Sequence, residues 1–484
     1  MFGVTSIGYK KVKTNSFFVG CQLPYSRSAD SGPPHRANRF RGVALSGLPI
    51  CLDAPRQKNR PWYFGALSMN RSTLALAIAA AIATQQAASA GFLEDGSVRL
   101  DARNFYFKQD FDNNANDLDQ WGQGLVLNAR SGFTEGAVGF GLDVQGLLGI
   151  RLHSDAPDNS SQLFPLNGRS AADQFSRLGL TGKARAGKTE VRVGTLQPRL
   201  PVLVSNDGRL LPQTFQGAHL TSQALEGLTL HLGYLDKAAG RASSDRTGLA
   251  TKGGAEESDF LFAGGDYAIT RDLVAQYYFG GLDDYYQQHF VGLRHNLVLG
   301  GGKLASDLRY FDTSADGRNS EGRAGYGKQI DNRLWSALSS YSLSGHTLTA
   351  GYQQSRGDTD FAQLDQSGLA GKGAGGASVY LVTERFINNF GRAGEDTWLV
   401  QYGYDFGQLG IKGLSASVLY QKGEWDNAAG VAQSEWERDI FVGYTVPEGS
   451  LKGLGVQWRN GVLRSDGSAA QDQNRLTVSY SFVL

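Results

Sequence analysis

Between residues 91 and 484, apolar and polar residues alternate in eighteen stretches, and the connections between them are by turns long and short. Alternation with a period of two marks a strand with one oily and one polar face. The stretches fall at 98–107, 122–131, 136–152, 174–185, 188–197, 217–224, 227–236, 258–269, 272–281, 287–297, 302–312, 331–342, 345–355, 396–407, 413–423, 435–446, 452–464 and 473–484. In the last, "NRLTVSYSFVL", Leu476, Val478, Tyr480, Phe482 and Leu484 take the even positions, and Arg475, Thr477, Ser479 and Ser481 the odd ones. Even-numbered stretches lead into short turns such as "AGK" (186–188), "LEG" (225–227), "TRD" (270–272), "LSG" (343–345) and "PEGSLKG" (447–453). Odd-numbered stretches lead into 153–173, 198–216, 237–257 and 356–395, and the first connection also reads as long. An even number of strands with short turns at one end and long loops at the other is the pattern of an outer-membrane barrel.

Composition removes the main rivals. No run of about 18 apolar residues follows position 90, so no spanning helix is expected there, and only a closed barrel can otherwise cross a bilayer. The fold class is therefore all-β: an 18-stranded antiparallel transmembrane barrel whose even face in the closing strand meets lipid and whose odd face meets water. Trp398, Tyr402, Tyr404 and Phe406 share one parity, as do Trp436, Ile440, Val442 and Tyr444. Aromatics on one face near strand ends form the interfacial girdles of such barrels. A soluble sandwich would explain the aromatic ladders, but neither the loop rhythm nor the polar second face.

The first ninety residues read as something other than barrel. "MNRSTLALAIAAAIATQQAASA" (69–90) has an early Arg, an apolar run from Leu74 to Ala83 and small residues before Gly91, the layout of a secretory signal. Residues 1–68 then read as an upstream, non-native and disordered extension. They carry both cysteines, Cys21 and Cys51, with ten Lys and Arg against two Asp and Glu. With the first ninety residues set aside, the chain's net charge of +1 becomes −8, and neither Cys nor Met remains. That excludes a disulfide framework, thiol chemistry and a lipoprotein anchor from 91–484.

Parity also sorts the charged residues. Val98, Leu100 and Ala102 point outward, which sends Arg99, Asp101 and Arg103 into the lumen. The same rule turns Arg130, Arg151, Arg177, Lys183, Arg192, Arg294, Arg309, Arg459 and Arg475 inward. A cation on the lipid face near the midplane would cost ~2–4 kcal/mol, in keeping with that assignment. Guanidinium groups along a narrow wet path offer successive sites for carboxylates. The plainer reading is that they pair with inward acids such as Asp101, Asp143, Asp307 and Asp405. Neutral residues in place of Arg294 and Arg309 are expected to weaken carboxylate uptake.

Two loops stand apart. "PRLPVLVSNDGRLLPQTFQ" (198–216) is rich in Leu, Val and Pro where an exposed loop should be polar, so it is expected to fold inward and narrow a pore. "SVYLVTERFINNFGRAGED" (378–396), at the end of the connection 356–395, reads as a second lid. Asp207, Arg209, Asp307, Arg392 and Glu395 are the candidate constriction residues. Enzyme signals are poor. Gly371, Gly373 and Gly376 match G-x-G-x-x-G without the strand and helix that motif needs, and the six histidines after residue 90 show no metal-ligand spacing. There is no G-x-S-x-G elbow. No catalytic residue, metal or cofactor is expected, and an acidic exported barrel is a poor nucleic-acid binder.

"GFLEDGSVRLDARNFYF" (91–107) and, above all, "VRVGTLQPRLPVLVSNDGRLLPQTFQGAHL" (191–220) resemble the OprD family of outer-membrane porins of pseudomonads and related Gram-negative bacteria. The resemblance covers essentially all of 91–484 and none of 1–68. It implies an eighteen-stranded barrel with the third and seventh external loops, here 198–216 and 356–395, folded into the pore. It also implies a basic ladder opposed by acids, and passive uptake of amino acids, peptides or aromatic acids bearing a carboxylate. The expected partners are small carboxylate solutes inside the wall, with outer-membrane lipid and lipopolysaccharide outside it. A homotrimer and a monomer both stay open. The alternatives are a general diffusion or sugar porin and, further off, an outer-membrane hydrolase.

Overall fold

The computed structural model describes residues 89–112, 117–155, 161–168, 170–366 and 376–483. Residues 1–68, the leader reading up to residue 88, Gly371, Gly373 and Leu484 lie outside the described residues. A short helix, α1 (Ser89–Glu94), runs across the expected junction at Ala90–Gly91.

The eighteen wall strands are β1 (Ser97–Phe111), β2 (Leu118–Arg130), β3 (Gly139–Ser154), β4 (Gln174–Ala186), β5 (Thr189–Leu196), β6 (Thr214–Ser222), β7 (Leu228–Ala239), β8 (Phe260–Ala268) and β9 (Leu273–Leu282). They continue with β10 (Tyr286–Leu299), β11 (Gly302–Ala315), β12 (Asp331–Leu343), β13 (His346–Arg356), β14 (Asp396–Asp405), β15 (Leu414–Asp426), β16 (Ala432–Thr445), β17 (Gly455–Ser465) and β18 (Gln471–Val483). Each pairs antiparallel with the next. β18 then pairs with β1, from Arg99 opposite Val483 to Phe111 opposite Gln471, so the sheet has no free edge. Every expected strand is present, with bounds that differ by no more than four residues.

The pleat sorts side chains as parity requires. On β4, Phe175, Arg177 and Thr181 are 4%, 6% and 6% exposed, whereas Leu178 and Leu180 on the other face are 61% and 53% exposed. A lipid-facing wall explains such apolar exposure; a water-facing wall would not.

Two expectations need correction. The loop rhythm is uneven: 155–173, 197–213, 240–259, 316–330 and 357–395 are long, but β1 and β2 extend further than expected. They leave only 112–117 between them, no longer than the opposite turn 131–138. The lumen face is also not polar throughout. Phe105, Phe107, Phe175, Phe260, Phe262, Phe290 and Phe311 point inward and are buried. The inward loops give these rings their dry partners. Leu200, Val202 and Leu203 pack with Phe215, Phe260 and Phe290, while Leu210 and Leu211 pack with Phe105, Phe107, Leu118 and Phe175. Burying one such leucine contributes about 1.5–3 kcal/mol, so the loops are part of the core.

Candidate channel constriction and basic path

The inward turn of 197–213 begins in its composition. Leu200, Leu203, Leu210 and Leu211 are buried, and a two-residue hairpin, Arg199–Leu200 with Leu203–Val204, sets its shape. Gly124 on β2 lets the loop lie against the wall, since a Cβ there would stand 2.6 Å from the Leu210 carbonyl oxygen. The polar tip, Asn206 to Arg209, is thereby carried into the lumen. Arg103 on β1 meets it, donating to Asp207 Oδ1 at 2.9 Å and Oδ2 at 3.2 Å, and to the Arg209 carbonyl at 2.6 Å. Arg241, from the loop 240–259, donates to Asn206 Oδ1 at 2.9 Å from behind.

The loop 357–395 comes from the opposite side and is pinned by acids on β16. Glu437 accepts from the amides of Ile387 at 3.1 Å and Asn388 at 2.9 Å. Glu435 accepts from Asn388 Nδ2 at 2.8 Å and from Arg392 at 2.9 Å. Gly461 on β17 makes room for Phe386, whose ring carbon would lie 2.5 Å from a Cβ at that position. Glu395 is 1% exposed, and burial with Glu435 beside it pushes its carboxyl well above the ordinary range. Arg392 and Glu395 thus bind the loop to the wall.

Where the two loops approach each other, guanidinium groups and rings alternate. Arg475 lies over Phe386 at 4.0 Å and Phe107 at 5.5 Å, Arg459 over Phe386 at 4.4 Å, and Arg209 over Phe107 at 5.0 Å. Arg309 lies over Tyr380 at 3.8 Å and binds Asp307 at 2.6 Å. Loop carbonyls orient three of these cations: Arg385 O accepts from Arg459 at 3.0 Å, Phe386 O from Arg475 at 3.2 Å, and Tyr380 O from Arg309 at 3.0 Å. Arg385 completes the group. Its Nε and one terminal nitrogen are buried without a hydrogen-bond partner among the described residues, and burial followed by the charge of Arg309 lowers its pKa. Burial holds Arg209 down to about 10, so its charge persists at neutral pH. Glu384, crowded by loop and wall, is pushed up to about 7, an upper bound because its side chain keeps contact with lumen water.

Toward the turns lies a cavity of about 680 Å³ lined by Arg130, Arg192, Arg199, Asp143, Glu190 and His219, among others. Lys183 binds Asp143 at 2.6 Å, and Arg192 binds Glu190 at 2.5 Å with Asp143 at 3.7 Å. The side chains of Arg130 and Arg199 have no hydrogen-bond or ion-pair partner among the described residues. Further round the wall, Arg294 stands 3.8 Å from Asp266.

Three of the expected ladder residues stand elsewhere. Arg99 pairs with Asp101 at 3.0 Å on the turn-side rim of β1 and is half exposed. Arg151 pairs with Asp173 at the loop-side end of β3. Arg177 is buried and donates to the carbonyls of Pro212, Gly240 and Ser243, so its guanidinium clamps two loops together. Of the acids named as structural partners, Asp101, Asp143 and Asp307 hold neighbouring cations, whereas Asp405 caps the 3-10 turn Phe406–Leu409 through the Gly407 amide at 2.8 Å. Arg241 and Arg385 are not among the expected residues, since they lie in irregular loops with no period to orient them. Glu435, Glu437 and Asp439 are not among them either, although their alternation with Trp436 and Ile440 turns them inward. Among the described residues no three His, Cys, Asp or Glu side chains converge in a metal-binding arrangement.

The family described as outer membrane porin, OprD family, matches residues 90–484. The porin-like protein GalP of Pseudomonas putida is 36% identical over 409 residues, 82% of this chain and 95% of the relative. The crystal structure of Pseudomonas aeruginosa OccK8 (OprE) superimposes with a TM-score of 0.75 at 46% identity, covering 81% of this chain and all of that one. The crystal structure of Pseudomonas aeruginosa OpdK with vanillate does so with a TM-score of 0.74 at 35% identity, again over 81% of this chain and all of that one.

Proposed function

Because the chain belongs to the OprD family, substrate-specific channels of the Gram-negative outer membrane and not enzymes, we propose that this barrel passes small carboxylate-bearing solutes, aromatic acids among them. The observation that carries the reading is the group of guanidinium ions and rings between the two inward loops. Arg209, Arg309, Arg385, Arg459 and Arg475 gather there beside Phe107, Tyr380 and Phe386. A guanidinium has five donors in a fixed fork that matches a carboxylate. Arg459 and Arg475 use only some of theirs on loop carbonyls, and the buried nitrogens of Arg385 have no partner among the described residues. The rings supply flat surfaces for a planar solute. A carboxylate held here then meets Arg130 and Arg192 in the turn-side cavity, so release proceeds from one cation to the next. The aromatic acid vanillate, bound in the OpdK structure, has this chemistry. Export through the leader at 69–90 fits the same reading, and the family match beginning at residue 90 supports it.

The test compares vanillate with its uncharged methyl ester in proteoliposome uptake. Vanillate is expected to enter faster, and Arg385→Gln with Arg459→Gln to remove the difference. Equal rates in the unaltered protein, or equally fast entry of a neutral sugar of similar size, would return the channel to general diffusion.

A further inference from the structure

On β16, Glu435, Glu437 and Asp439 face the lumen, at 0%, 0% and 7% exposure, which turns Trp436, Arg438 and Ile440 outward. An arginine on the lipid-facing wall is unexpected. Register confirms the direction: Arg438 lies opposite Tyr420 of β15 and Val462 of β17, both on the outer face. Among the described residues, no hydrogen bond or ion pair joins Arg438 to any other side chain.

Its depth follows from the aromatic girdles. Trp398, Tyr420 and Trp436 form an outward row, with ring centroids 5.4 Å and 5.9 Å apart. Tyr444 marks the other end of β16, eight residues on. At ~3.4 Å per residue and ~40° tilt, eight residues span ~21 Å, close to the apolar band of such barrels. Arg438 sits two residues inside the upper row, within reach of the interface if its head snorkels outward. At that level two further cations flank Trp436: Lys422 on one neighbouring strand and Arg464 on the other, each directly opposite it. Lys422 holds Glu424 at 2.6 Å and Arg464 holds Asp472 at 2.7 Å. Three cations therefore face two acids, and exposed pairs of this kind are weak enough to be shared with another anion.

We propose that Arg438, with Lys422 and Arg464, binds a phosphate of outer-leaflet lipopolysaccharide on the outer wall of β15–β17. Among the described residues the outer face gives Arg438 no ion-pair partner, the acid two strands away, Asp472, being held by Arg464, and the leaflet at that height supplies a phosphate. A guanidinium takes two phosphate oxygens at once, and a dehydrated interface strengthens each bond. The aromatic row at the same level packs against the upper part of the acyl chains. The site is separate from solute passage, since none of its three cations faces the lumen.

The experiment measures retention of bisphosphorylated lipid A by the purified full chain in detergent, using native mass spectrometry, against dephosphorylated lipid A. The expected result is a preference of about tenfold for the phosphorylated lipid, lost in Arg438→Gln and kept in Arg271→Gln, an exposed arginine on the turn 269–272. Vanillate uptake is expected to be the same in all three proteins. Equal retention of the two lipids by the unaltered protein, or full retention by folded Arg438→Gln, overturns the proposal. Should Arg438→Gln fail to show the heat-dependent gel shift of a folded barrel, Arg464→Gln and the phosphate preference of the unaltered protein decide the matter.

Discussion

Arg177→Met tests whether a lumen arginine acts on solute or on the channel's own loops. Arg177 is 6% exposed and donates to three carbonyls, those of Pro212, Gly240 and Ser243, the last at 2.6 Å. Hydrogen bonds from a charged donor are worth about 1.5–3 kcal/mol each, so three set an upper bound of ~5–9 kcal/mol. Much of this is recovered, because the freed carbonyls can turn to lumen water and burying the guanidinium itself costs energy. A net loss of ~3 kcal/mol to the closed arrangement of 197–213 and 240–259 is the reasonable expectation, which lowers the ratio of closed to displaced loop by about two orders of magnitude. Methionine has similar length and no charge, so the wall keeps its packing. In planar bilayers, single-channel current through Arg177→Met should be larger and noisier than in the unaltered protein, with the preference for vanillate over its ester intact. Arg475→Gln should do the reverse, leaving the current quiet and weakening the preference. A quiet, unchanged current in Arg177→Met together with lost preference would refute the clamp and restore Arg177 to the solute path.

Gly124→Val forces a side chain into the Leu210 carbonyl, at about 1–3 kcal/mol for overpacking, and should raise conductance by displacing the same loop; unchanged current would show that the wall yields instead. Burial raises the Glu384 carboxyl, to about 7 at most, so acidification from pH 8 to 5 protonates it and makes the lumen more positive. Reversal potentials in a KCl gradient should shift toward anion selectivity over that interval, and a full shift in Glu384→Gln would assign the titration to other lumen groups. Glu395 has a raised pKa in the folded chain, so between the ordinary glutamate range and its folded value the folded state holds a proton that an unfolded carboxyl releases. Its stabilising contribution is present at low pH and is lost as pH rises through the folded value. Limited proteolysis of 357–395 should therefore quicken from pH 5 to 9, and stay level in Glu395→Gln.

What could be read from the sequence divides along a physical line. Alternation specifies which face a strand residue occupies, because the pleat repeats every two residues whatever lies around it. That is why the eighteen strands and the inward turn of Arg103, Arg459 and Arg475 were legible, and why the apolar composition of 198–216 announced a loop that packs inside. Parity says nothing of height along the wall or of what arrives from across the lumen. Arg103 meets Asp207 from 104 residues away, and Arg475 meets the carbonyl of Phe386 from 89. Nothing local to either strand announces the partner, so Arg177 as a clamp and Arg459 as an oriented donor look identical in sequence. The inward phenylalanines mislead for the same reason: Phe105 and Phe107 would be anomalous in a water-filled tube, and are sound core residues once Leu210 and Leu211 cover them. The same limit explains Arg385, which lies in an irregular segment where no period orients side chains, yet completes the cation group because Glu435 and Glu437 fix the segment that follows it. In this barrel the wall is written residue by residue, while the constriction exists only where two loops and four strands meet.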